Sequence, residues 1–505
     1  MNRDRIYLLL YSLILFLIFL WNVPLLDPDE PVYGETAKEM IAAGDWLSPR
    51  IYGDFWYDKP PLFYWLEAVS FSLLGVSTFS ARLPSALIAA GTVLYVYGAA
   101  ERLFSRRIAF TGAFILASSL EFIVIARAAV TDMTLTAALT AALFSFLEKR
   151  YAAAYIACGF ALLAKGPIGF GFPAFIVGLW LLAQKRFTWK PIMALRWYWG
   201  IPLACLVGLP WYAYMVSVHG QPFVDTFLGY HNLVRFTQPE HAGKDHWWLY
   251  FVVLTTGFFP WTGALAGALT RVRRFAADPK TLYLMVWAGF IFLFFSASST
   301  QLFSYILPIF PPLAVLSALY LDDLAQEGAG RLFPQLHIFF LGITAAAVAA
   351  APLTPAGGLP AKYGTALVMM ILGLLAVRLF RGGNMRGFLF AQGALALFLT
   401  CAAWTLFAEP VREQFTSPHL SMRAAVTERP EGTALWIDPF YRPASAFYHD
   451  LYGRPMPDLT KPGASIPGPA DLLVQKKVVR DWSPAVRDEW QTVWQTDTAL
   501  LLRKS

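Results

Sequence analysis

Charge is what this sequence lacks most. Asp, Glu, Lys and Arg make up 14% of its 505 residues, against roughly 25% in soluble domains. Apolar residues make up 57%, and the mean hydropathy is +0.50. A water-soluble chain of this length could not bury so much apolar surface, so the composition defines a polytopic membrane protein. Cysteine is also scarce. Cys158, Cys205 and Cys401 lie in apolar stretches without metal-ligand spacing, which excludes a disulfide framework and leaves them as small core residues. Neither GxGxxG nor GxxxxGK[ST] occurs, so no nucleotide cofactor is expected. The net charge of +7 is assigned to Lys and Arg in cytoplasmic loops rather than to nucleic-acid binding.

What is present is a series of long apolar runs. The expected fold is an α-helical polytopic membrane protein with about thirteen transmembrane helices. The spans fall near 6–24, 83–101, 108–126, 133–147, 151–164, 167–184, 197–216, 247–268, 281–296, 303–320, 333–351, 363–379 and 387–407. Arg3 and Arg5 precede the first run, which reads as an uncleaved signal anchor because Trp21-Asn22-Val23-Pro24 is a poor cleavage site. The excess of Lys and Arg lies in loops such as "ERLFSRR", "AQKRFTWKPIMALR" and "RVRRFAADPK", which sets the N-terminus in the cytoplasm. An odd number of spans puts the C-terminus outside. The expected division is a membrane domain over 1–408 and a small α/β periplasmic domain over 409–505. The first outside loop, 25–82, carries interfacial helices: Tyr33, Ala37, Met40 and Ile41 share one helical face, and Leu62–Leu74 follows "YDKPP".

On that topology the chemistry-bearing residues gather at one membrane face. Asp29 and Glu30 of "PDEP" and Asp58 and Lys59 of "YDKPP" lie in the first outside loop. Arg127 and Asp132 flank one outside turn and Lys165 marks another; His231, Arg235, His241 and His246 share an outside loop, and Gln301 and Tyr305 lie at a further turn. Loop charge alone fixed the orientation, so their common side is an independent observation. Lys and Arg neutralise phosphate, and a carboxylate accepts a proton or stabilises a cationic sugar centre. A polar cavity at the end of an apolar bundle therefore points to group transfer from a lipid-linked phosphate.

Structural readings stand beside each of these. Asp29 and Glu30 precede Pro31 and suit a helix start, where acids complement the dipole. Lys59 reads equally as a snorkelling cation, and Arg127 with Asp132 as an ion pair. His219 and His246 read as solvated loop residues, and Trp46, Trp56, Trp211, Trp247 and Trp261 as an interfacial belt.

The stretch from Pro28 to Trp65 resembles the opening of the GT-C glycosyltransferases of the aminoarabinose transferase and protein O-mannosyltransferase group. It carries P-D-E, Y-x-E, G-D-W-x-x-P and an acid-K-P-P segment. "ARLPS" at Ala81, "KGPIG" at Lys165, "LPWY" at Leu209, "HNLVRF" at His231, "FFPW" at Phe258, "YILPIFPPLA" at Tyr305 and "SAFYHDLYGRPM" in the tail are similar to other family segments.

The resemblance implies an inverting glycosyltransferase of the bacterial inner membrane. It would move a sugar such as 4-amino-4-deoxy-L-arabinose from undecaprenyl phosphate to lipid A or another envelope glycolipid on the periplasmic face, working as a monomer. The same-class alternative is protein O-glycosylation; the alternative from another class is a lipid-linked sugar flippase. By position, Asp29 would be the essential carboxylate, Glu30 its neighbour and Asp132 a second acid of the cavity. Lys59, with Arg235, would hold the donor phosphate. Arg127, Lys165, Gln301 and Tyr305 would complete the donor site. Asp58 and His231 match positions that coordinate a divalent metal ion in some members. The chain departs from the aminoarabinose pattern at Val32, where a basic residue is usual, and at Gln301, where lysine is usual. Those departures leave the sugar open.

Overall fold

The computed structural model describes residues 2–227, 229, 248–327, 331–351, 356–461 and 463–504. The chain is a multi-pass helical bundle with a small C-terminal sheet domain. Its first nine long elements are α1 (Arg3–Leu17), α2 (Asp29–Ala43), α3 (Leu62–Leu74), α4 (Thr78–Leu103), α5 (Arg106–Ser118), α6 (Leu120–Ala126), α7 (Asp132–Leu147), α8 (Tyr151–Lys165) and α9 (Ile168–Ala183). The later membrane helices include Trp197–His219, Pro279–Ser296, Leu332–Ala350, Gly358–Arg381 and Met385–Thr405, with a 3-10 turn at Phe303–Ile309 leading into Phe310–Glu327.

Among the described residues, seven helices are long and apolar enough to cross a bilayer, and nine if each bent pair counts once. Thirteen straight spans were expected. Two of those runs are broken: α5 and α6 meet at 64°, and Leu249–Gly257 meets Thr262–Leu269 at 119°. Helices α7, α8 and α9 have 16, 15 and 16 residues. That is short of the roughly 20 a full crossing needs. Window hydropathy registers apolarity and is blind to a bend inside a run.

The most enclosed membrane helices are α4 and Phe303–Glu327, whose apolar windows are 67% and 83% buried. Between helices in lipid, close contact replaces the hydrophobic driving force. Ala86, Ala89, Ala90, Ala99 and Ala100 accordingly give α4 a smooth surface, and all five are buried in the main core.

The sheet domain is a five-stranded mixed sheet in the order 454–455, 434–437, 470–475, 499–504, 491–495. Strand Ala434–Ile437 pairs in parallel with its two neighbours; the remaining pairs are antiparallel. Helix Arg442–His449 leaves this sheet and packs on α2. Gly34 makes that possible: a Cβ there would stand 2.8 Å from the Phe447 ring. Lys38, on the same face of α2, donates to Ala446 O at 2.9 Å and pairs with Asp450 at 2.7 Å. Arg442 lies 3.7 Å over the Tyr52 ring. The outer domain thus grips the helix that carries Asp29. Beside Lys38, burial pushes the Glu35 carboxyl up to about 7, against the opposing pull of the lysine.

Candidate active site

The three acids of "DPDE" take three separate directions. Asp27 is enclosed against Ser417 of the outer domain, where burial pushes its carboxyl well up. Glu30 turns inward. It receives Arg82 Nε at 2.8 Å and Nη2 at 2.6 Å, Ala129 N–H at 2.6 Å and Leu26 N–H at 2.7 Å. Arg82 also donates to the carbonyls of Leu20, Val23 and Pro24. With every acceptor position engaged, Glu30 is a structural clamp between the first loop and α4, and does not stand beside Asp29 in the catalytic group where it was expected. Asp29, one residue earlier, is exposed.

The partners of Asp29 come from three elements. Helix α2 begins at Asp29 and α7 begins at Asp132, each with its acid in the first turn where the dipole favours it. Helix α8 ends at Lys165, the complementary charge at the complementary end. Antiparallel packing of α7 on α8, pinned by Thr131 Oγ1 donating to Ala164 O at 2.8 Å, brings these ends together. Lys165 Nζ lies 2.5 Å from Asp132 Oδ1 and 4.4 Å from the centre of the Tyr305 ring. Lys59 Nζ lies 2.8 Å from Asp58 Oδ1 in the loop before α3. Desolvation raises the Asp29 carboxyl above its ordinary range; the charges of Asp132, Asp58 and Glu30 push the same way, and Lys59 opposes them.

Raised affinity for a proton at an accessible acid is the signature of a group placed to exchange one. The sign of its coupling is testable. If ionised Asp29 is required, transfer is lost as pH falls through its raised pKa. Asp132→Asn removes the largest like charge and frees Lys165, so the acid limb of the pH–rate profile moves to lower pH. An acid limb that stays put or moves upward would separate the two carboxylates.

Arg127 does not join this group. Arg127 is 1% exposed, and its guanidinium donates to Leu15 O at 2.7 Å and Ile18 O at 2.6 Å and lies 4.2 Å over the Trp404 ring. It ties the end of α1 to α6, so neither a donor-phosphate role nor the expected pairing with Asp132 holds. Gln301 Nε2 reaches Ser296 O at 3.4 Å, a local contact at the edge of the site. His231 and Arg235, with His241 and His246, lie outside the described residues. Of the two residues matched to a divalent metal ion, Asp58 has its Oδ1 held by Lys59 Nζ at 2.8 Å and His231 lies outside the described residues. Among the described residues no trio of His, Cys, Asp or Glu is grouped for a metal, and no chemical step below runs through one.

Other residues take roles the sequence did not show. Tyr33, read only as part of an amphipathic face, lies one turn beyond Asp29 and interacts electrostatically with Asp58, Asp132 and Asp29. Its ring packs 5.7 Å from that of Tyr64. His219 is half-exposed but not free: it meets Ser48 Oγ at 3.0 Å and Tyr57 Oη at 3.1 Å, fastening the loop that carries Lys59. Trp261 is not in a belt at the membrane surface; it is 1% exposed and donates to Ser118 Oγ at 2.9 Å. Glu121, on the bent segment α6, is buried with Oε1 unpartnered among the described residues. The placements of Trp261 and Glu121 follow from the bent helices, which sequence periodicity does not show.

Residues 6–219 match the family model described as dolichyl-phosphate-mannose-protein mannosyltransferase. The undecaprenyl phosphate-alpha-4-amino-4-deoxy-L-arabinose arabinosyl transferase of Aeromonas hydrophila is 32% identical over 341 residues, covering 64% of this chain and 61% of that protein. The protein of the same name from Pectobacterium atrosepticum is 33% identical over 361 residues, covering 68% and 63%. The chain thus spans somewhat under two thirds of these relatives. The crystal structure of ArnT from Cupriavidus metallidurans in the apo state superposes with a TM-score of 0.76 at 22% identity, covering 98% of this chain and 97% of that one. The fold is that of the ArnT crystal structure, a polytopic helical bundle with polar side chains gathered at one end. In sequence the chain is similar to the aminoarabinose transferases over part of their length, and residues 6–219 match the protein mannosyltransferase model.

Proposed function

We propose that this chain is a glycosyltransferase of the bacterial inner membrane. It moves a sugar from undecaprenyl phosphate to lipid A or another envelope glycolipid at the periplasmic face, with its N-terminus in the cytoplasm, and 4-amino-4-deoxy-L-arabinose is the first sugar to test. The observation that carries this reading is the company kept by Asp29: an accessible acid with raised proton affinity, coupled electrostatically to Lys59 and to Asp132, which pairs with Lys165. In the reaction the bond from the sugar's anomeric carbon to the donor phosphate breaks, and a bond to the acceptor oxygen forms. Lys59 and Lys165 offset the charge left on the polyprenyl phosphate. Where the acceptor is a hydroxyl, its proton passes to Asp29; where it is an ionised phosphate, Asp29 orients it and stabilises positive charge at the sugar. Inversion follows from the family resemblance.

A protein acceptor is the second reading, favoured by the mannosyltransferase match over residues 6–219. A flippase is disfavoured, because transporters place ionisable groups near the bilayer midplane, whereas here Lys165 and Asp132 lie at helix ends. Mass spectrometry of envelope lipids from cells with and without the gene tests the assignment. The expected result is a sugar-sized mass increment on lipid A that vanishes without the gene. Unchanged lipids together with a glycan lost from a secreted protein would transfer the assignment to the second reading.

A further inference from the structure

A shallow pocket rimmed by cations lies at the other end of α8. Fifteen residues separate it from Lys165 along the helix, roughly 20 Å at about 1.5 Å per residue. It has a volume of about 440 Å³ and is lined by Lys149, Arg150, Tyr151, Arg196 and Trp199. Lys149 and Arg196 both hold a left-handed backbone, each at φ 60°.

The charges here are not balanced internally. Several other cations at this end of the bundle are matched, Arg106 by Asp4, Arg107 by Asp322, and Arg271 and Arg274 by Glu327, whereas the exposed Lys185 and Arg186 have no carboxylate partner among the described residues and do not line this pocket with its aromatic residues. Around the cavity, Glu148 reaches Arg150 only at 3.5 Å and is already held by Arg102 at 2.8 and 3.1 Å. Arg196 donates to the neutral Tyr198 hydroxyl at 3.2 Å. Among the described residues neither Lys149 nor Arg196 has a carboxylate partner.

An apolar track leads away from this pocket. Ala152, Ile156 and Phe160 follow one another at helical spacing on α8 and are all exposed, Ile156 by 37% and Phe160 by 45%. Cationic head, aromatic collar and apolar track in that order match one kind of molecule. We propose that the cavity binds the phosphate head group of an anionic phospholipid, drawn from the leaflet opposite the candidate active site, with an acyl chain along Ile156 and Phe160. Basic pockets between membrane helices hold anionic head groups in this way, and Tyr and Trp sit at head-group depth. A free phosphate ion would use the cations but has no use for the apolar track.

The full-length protein in detergent, titrated with phosphatidylglycerol or phosphatidylcholine and read by native mass spectrometry, tests this. Phosphatidylglycerol is expected to bind at least tenfold more tightly. The variant Lys149→Gln/Arg150→Gln/Arg196→Gln loses that preference, while Lys185→Gln/Arg186→Gln, two exposed cations at the same end, keeps it. Equal binding of the two lipids by the unaltered protein overturns the proposal. So does a triple variant that retains the preference. A lipid-independent thermal shift by inorganic phosphate, abolished by the same substitutions and unaccompanied by lipid selectivity, assigns the pocket to a free anion instead. If the triple variant does not fold, Arg196→Gln alone is read in the same way, with a smaller loss expected.

Discussion

On the proposed function, Asp29→Asn is expected to abolish sugar transfer while leaving the protein inserted, folded and able to hold its lipid donor. The substitution keeps shape and hydrogen-bonding capacity while removing both the charge and the basicity. General-base and charge-stabilising groups typically contribute about 10²- to 10⁴-fold, so turnover should fall by at least about a hundredfold. Thermal stability should hold or rise slightly, because the native state raises the cost of ionising this acid. Turnover within a few-fold of the unaltered enzyme would remove Asp29 from the chemistry. Glu30→Gln provides the internal contrast. It lies next in sequence but is embedded in the Arg82 clamp, so its effect should appear in stability and yield first.

The second large effect is expected at Arg82. The side chains of Arg82 and Glu30 are 3% and 4% exposed. Arg82→Ala strands Glu30 in the interior and leaves the carbonyls of Leu20, Val23 and Pro24 without their donor. Removing one partner of a buried pair costs about 3–5 kcal/mol. That is a large share of the roughly 5–15 kcal/mol that holds a typical domain together. Expression should drop and the melting temperature in detergent should fall by several degrees. Adding Glu30→Gln should restore part of the loss, since a neutral amide is cheaper to bury than a lone carboxylate. A single Arg82→Ala protein melting at the normal temperature would show that the clamp contributes little.

The two residues also show where sequence reading succeeds and where it stops. "PDEP" and "YDKPP" mark a reactive loop because a dense set of charges beside an apolar run demands an explanation. Adjacent acids in one helical turn differ by about 100° in direction, however, and which one meets an arginine some fifty residues on depends on how α4 packs. Asp132 and Lys165 were placed on one membrane face by loop charge; their contact depends on the α7–α8 hairpin and its Thr131 pin. Arg127 misled for the same reason in reverse. Its position at an outside turn was legible, but the bend between α5 and α6 swings its guanidinium onto the carbonyls of α1. Trp261 was assigned to the surface because tryptophan favours interfaces, while the 119° break beside it folds the ring into the core. The sheet domain announced itself by its soluble composition. Its grip on α2 did not, because a glycine in a helix looks like a weakness until the ring that fills the space is known.

That grip at Gly34 sets a rule for how this architecture can be rebuilt. An outer module grafted from a relative must bring its own aromatic plug for the notch, in register with Lys38, or the helix bearing Asp29 loses its outer buttress. Conversely, a bulkier residue at position 34 would unseat the native module without touching a single reacting atom.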